Sequence, residues 1–114
     1  MSKEQQMIRL LVGKTEAGAA SWTPTAEENE FITSVAGNTV SVKTVAGDPQ
    51  GPDVVFAVLD EDGREVLSSV NGEGMEDVDY QILKLLHEMA RRSAFKVDKT
   101  LDKIIQELES DIPF

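Results

Sequence analysis

The chain has 114 residues, 40% of them hydrophobic and 28% charged, with a formal net charge of −10 and no cysteine. That length and composition describe one globular unit, residues 1–114, able to bury a core without covalent staples. Missing thiols exclude disulfides and thiolate metal sites, and the acidic balance works against binding nucleic acid or an acidic membrane surface.

The N-terminal stretch carries Glu4, Gln5, Gln6 and Arg9 among its apolar residues, which is not a signal-peptide pattern. No uncharged apolar run approaches the roughly 20 residues of a membrane helix. The expectation is a cytoplasmic protein that does not enter a membrane. Ser2 and Gln5 have the spacing of a capping box. Met7, Ile8, Leu11 and Val12 then recur at helical intervals, with Leu10 widening the stripe. The pattern predicts a helix over residues 3–17 closed by Gly18, with Gly13 a weak point worth about 1 kcal/mol relative to alanine. A connector, Ser21-Trp22-Thr23-Pro24, holds the sole tryptophan. A lone buried indole is first a core plug and second a ligand platform.

Two hairpins follow. Gly37-Asn38 separates the alternating runs Phe31–Val35 and Thr39–Val42. A two-residue loop there pairs Val35 with Val40, Thr33 with Val42 and Phe31 with Thr44 on one inward face. Residues 46–53, with Pro49 and Pro52, read as a loop. Glu61-Asp62-Gly63 then turns Val54–Asp60 back into Arg64–Val70, pairing Val58 with Val66 and Val54 with Val70. Val55, Ala57, Leu59 and Leu67 fall on the other side, which is also apolar. Strands apolar on both faces are covered twice or meet another subunit, so Val55, Leu59 and Leu67 are candidate homodimer contacts.

After Asn71-Gly72-Glu73-Gly74, Asp77 or Asp79 can cap a helix carrying Ile82, Leu86, Met89 and Ala90 at helical spacing. A break near Phe95-Lys96 precedes a last helix with Leu101, Ile104, Ile105 and Leu108, ended by Pro113. The order predicts an α+β fold: an N-terminal helix, a four-stranded antiparallel meander of two hairpins, and two C-terminal helices packed on one face.

Chemistry is sparse. Gly13-Lys14-Thr15 ends like a phosphate loop, but Ile8 stands where the first glycine belongs. His87-Glu88 opens like a zinc-protease motif, but Arg91 replaces the second histidine. Asp60-Glu61-Asp62-Gly63 has its glycine too early for a calcium loop and reads as a turn. No residue emerges as catalytic, cofactor-binding or metal-ligating, and the reading is non-enzymatic. Arg91 and Arg92 form the one basic cluster, suited to a helix C-terminus or to a phosphate or carboxylate.

The stretch Ile82-Leu83-Lys84-Leu85-Leu86-His87-Glu88-Met89-Ala90-Arg91-Arg92-Ser93-Ala94, followed by Val97–Leu101, resembles the C-terminal part of small uncharacterised bacterial proteins with an L-x-x-x-A-R-R-S-A helix, in which an N-terminal helix, a tryptophan resembling Trp22 and two hairpins precede it. The resemblance implies a bacterial source and this architecture only; some of the proteins it resembles stand beside larger defence or signalling proteins, which would suit a partner-binding role. Three functions stand as expectations. The first is a protein-interaction module, with a protein partner or a second copy. The second is an acidic inhibitor or nucleic-acid mimic, using Glu27, Glu28, Glu30, Asp60, Glu61, Asp62 and Glu65 on one surface against a basic partner. The third is a small-molecule sensor with Trp22 and Arg91 or Arg92 in its pocket wall.

Overall fold

In the computed structural model, which describes residues 2–46, 52–71 and 80–110, the chain opens with helix α1 (Lys3–Glu16). Its N-terminus is the expected capping box: Gln5 N–H donates to Ser2 Oγ at 3.1 Å, and Ser2 N–H donates to Gln5 Oε1 at 2.9 Å. Gly13 does not end the helix, which closes at Ala17 before Gly18 in a left-handed conformation (φ 76°). Five strands follow, β1 (Thr23–Pro24), β2 (Glu30–Val35), β3 (Asn38–Val45), β4 (Asp53–Leu59) and β5 (Glu65–Val70), then α2 (Tyr80–Ala94) and α3 (Val97–Ser110).

The fold is α+β, with an antiparallel meander in the order β1-β2-β3-β4-β5. Among the described residues it has five strands, not the expected four. The added strand is the tryptophan connector: Thr23 and Pro24 pair with Ile32 and Phe31. Pro24 lacks a donor, which an edge position tolerates.

Both hairpins differ in register from the expectation. In the first, the turn is Ala36-Gly37, with φ of 52° and 80°, as a type I′ turn requires. Asn38 lies just outside it, its amide donating to the carbonyls of Val35 and Ala36. Thr33 therefore faces Val40 and Phe31 faces Val42. The shift is two residues, so parity survives and Phe31, Thr33, Val40 and Val42 are buried as anticipated.

In the second hairpin the three-residue turn forms, with Asp60 N–H donating to the Arg64 carbonyl at 2.8 Å and Gly63 at φ 82°. Beyond the Leu59–Glu65 pair a β-bulge intervenes, and Val58 faces Leu67 instead of Val66. One extra residue reverses which side every later side chain takes. Leu67 consequently packs against the core, whereas Val66 (59% exposed) and Val70 are exposed. The expected Val58–Val66 and Val54–Val70 pairs do not form, and Leu67 does not share a face with Val55 and Leu59.

The core lies between the inward sheet face and α2. Leu83, Leu86 and Ala90 are fully buried with Phe31, Val42, Val54 and Phe56, each large side chain contributing about 1.5–3 kcal/mol. Helix α2 crosses β1 to β4, and α1 packs on α2 through Ile8 and Leu11. Helix α3 does not cover the sheet as expected; it touches only α2. The radius of gyration is 16.4 Å, against about 13 Å for a compact chain of this length. The Asp77 or Asp79 cap, most of the 46–53 loop, the Gly72–Gly74 link and the Pro113 stop lie outside the described residues. Among the described residues no helix is long and apolar enough to cross a membrane.

Ala36 adopts a left-handed conformation that costs an alanine roughly 1–2 kcal/mol and an asparagine less. Ala36→Asn is expected to stabilise the protein by about 1 kcal/mol, read as a higher urea midpoint with unchanged slope.

Candidate functional site

Helix α1 leans on α2 and does not pack on the turn end of the β2–β3 hairpin. Between them runs a groove of about 920 Å³. Met7, Leu10 and Leu11 line it from the helix, and Val35 and Val40 line it from the hairpin. Leu10, the residue that widens the helical stripe, is 60% exposed. Among the described residues, Lys3 and Lys14 are its only charged lining side chains. An apolar trough edged by two ammonium groups thus occupies a chain of net charge −10.

Local bonding explains the groove's shape. The Lys14 carbonyl accepts from Ala19 N–H at 2.8 Å and Ala20 N–H at 3.2 Å, bending the chain off the helix end. Thr33 Oγ1 donates to the Ser21 carbonyl at 2.7 Å, tying that bend to β2. A smaller hollow of about 440 Å³ lies where the ends of α1 and α2 meet the start of α3, lined by Arg92, Lys96 and Lys99 with Glu16 and Asp98.

Trp22 lines neither hollow. It is 2% exposed, its Nε1–H donates to Thr15 Oγ1 at 3.0 Å, and its backbone N–H donates to Ser93 Oγ at 3.2 Å. Through its indole and its backbone, Trp22 ties the connector before β1 to α1 and to α2. Arg91 grips Glu88 with two bonds, Nε at 3.1 Å and Nη2 at 2.7 Å, and Arg92 pairs with Asp98 of α3. Both arginines hold carboxylates of their own chain; Arg92 alone borders a hollow, the smaller one. The larger groove contains none of the three residues singled out as ligand contacts.

Val55 and Leu59 sit half-buried on the outward sheet face, on the side of Ile32 and Val70. That face is also polar: Glu30 accepts from Thr25 Oγ1 and Ser41 Oγ, and Lys43 pairs with Glu27. The acidic residues do not form one surface. Glu27, Glu28 and Glu30 lie at the start of β2, whereas the β2–β3 turn at its far end approaches Glu61, placing Asp60–Glu65 at the opposite end of the sheet. His87 is buried with its Nε2 2.9 Å from the Asn29 carbonyl and its ring tilted on Phe31. Among the described residues no group of three or more His, Asp or Glu is placed to hold a metal ion.

The groove residues had a signal in the sequence. Residues 1–20 carry a net charge of +1 within an acidic chain, and Leu10 adds more apolar width than packing on one helix consumes. No family model, curated protein or solved structure matches the chain.

Arg91's hydrogen bonds hold the Glu88 carboxyl below the usual glutamate value, against the opposing effect of partial burial. A depressed carboxylate contributes stability above its unfolded pKa and loses it as pH falls through the folded one. Arg91→Gln is therefore expected to move the Glu88 titration upward by NMR. Its stability deficit should be present at neutral pH and disappear on acidification below the glutamate range.

Proposed function

We propose that this protein is a non-enzymatic interaction module that seats an amphipathic helix with acidic flanks in the groove between α1 and the β2–β3 hairpin. The observation that carries this reading is the groove's lining: exposed Leu10 and Val35 flank a trough floored by half-buried Met7 and buried Val40, whose charged lining among the described residues is Lys3 and Lys14. Helix-in-groove recognition uses an apolar face at i, i+3, i+4 and i+7, with complementary charge at the rim for register and exclusion of wrong partners. Lys3 and Lys14 stand eleven residues apart on α1, about 16 Å along its axis. That separation matches acidic groups spread along three turns of helix better than the single head group of a compact ligand.

A synthetic helical peptide with leucines at i, i+3, i+4 and i+7 and glutamates on its flanks is the direct probe. Titrated against the full chain, it should shift NMR signals of Met7, Leu10 and Val35. Lys3→Glu with Lys14→Glu should weaken it at least tenfold and favour the same peptide with lysine flanks. Unchanged groove signals at millimolar peptide would refute the assignment.

A further inference from the structure

We infer that the helix seated in this groove is α3 of a second copy of the chain; the inference rests on the helix-binding reading above and names the partner. Helix α3 is 14 residues long with no buried side chain. Leu101, Ile104, Ile105 and Leu108, at i, i+3, i+4 and i+7, are 46%, 50%, 51% and 62% exposed. A helix of that length is marginal in water when its apolar face has no cover. The stripe has the anchor spacing the groove asks for. Its flanks carry Asp102, Glu107 and Glu109, opposite in sign to Lys3 and Lys14. Helices α1 and α3 also match in length, 14 residues each, so one can lie along the other.

The chain's own α3 is held away from its own groove. Only Phe95-Lys96 separates it from α2, with Lys96 left-handed at φ 52°. Arg92 pairs with Asp98 across that bend, and Phe95 stands edge-on to Phe31 at 5.5 Å. Folding back would break all three. Pairing α3 antiparallel with its own copy about a two-fold axis would bring like flanks together, setting Asp102 and Glu109 against the same residues of the partner. Exchange of α3 between two chains avoids this, and because each chain offers one helix and one groove, both junctions close in a dimer.

Sedimentation velocity on the full chain and two variants decides it. The groove variant is Leu10→Asp with Lys14→Glu, and the helix variant is Ile104→Asp with Leu108→Asp. Leu10, Ile104 and Leu108 are half or more exposed and Lys14 is exposed, so folding is retained and is checked by circular dichroism. The parent is expected to dimerise, and each variant alone to associate at least tenfold more weakly. Mixed in equal amounts, the two variants should form a heterodimer, because the groove of one and the α3 of the other are intact. A groove variant that dimerises like the parent would overturn the inference in favour of α3 self-pairing. A parent monomeric at several hundred micromolar would overturn it too; binding of the acidic synthetic peptide would then show the groove reading to stand, and its failure that both fall.

Discussion

The contact between α2 and the inward sheet face is the constraint from which the remaining geometry follows. Leu83, Leu86 and Ala90 repeat at the helical period and meet Phe31, Val42 and Phe56, which form one row across β2, β3 and β4. One helix about 22 Å long cannot cover a twisted five-stranded sheet to its edges. Helix α2 spans β1 to β4 and leaves the hairpin tip at Val35 short of cover. Helix α1 packs on α2 and not on the sheet, so the space beside it is a geometric remainder of that primary contact. Its walls are apolar for the same reason: they continue the inward face of the hairpin and the outer half of the α1 stripe.

Secondary contacts set the angles at which the pieces meet. Trp22, itself part of the core, bonds Thr15 on α1 and Ser93 on α2 from a position beside β1, fixing how the two helices meet. The ion pairs Arg91–Glu88 and Arg92–Asp98 are solvent-exposed, and such pairs contribute little stability. Arg92 does its work by direction, because its partner belongs to the first turn of α3. The arginines that looked like ligand anchors in isolation are satisfied by acids three and six residues away.

Much of the architecture was legible because it depends on period. The α1 capping box, the helical stripe of α2 and the alternation of β2 and β3 each follow from spacing that tertiary contacts do not need to correct. What escaped the sequence depended on single residues. Thr23-Pro24 is too short to show a strand period and becomes one only because β2 offers an edge. The bulge at Val66 has no composition mark, yet it moves Leu67 into the core and Val70 out of it. At the groove, Leu10 and the local positive balance of residues 1–20 were visible. Their meaning was not, because it depends on α1 and the hairpin tip, distant in sequence, facing across a gap that neither fills.

The routes by which this surface can associate are narrowed by its edges. An exposed strand invites another chain to add on, and proteins blunt such edges with short strands, proline, bulges and charge. Edge strand β1 is two residues long and contains Pro24, and edge strand β5 begins at Glu65 and bulges at Val66. Both edges are therefore poor templates for strand addition. The outward sheet face interleaves its apolar residues with the Glu27–Lys43 and Glu30–Ser41 pairs, which a dry interface would have to desolvate at a cost of several kcal/mol per ion. The α3 stripe has acids only on its flanks and none between its anchors. Removing it from water costs no charge, and four large side chains are covered at once. Among the described residues, it is the exposed apolar surface whose burial is opposed least.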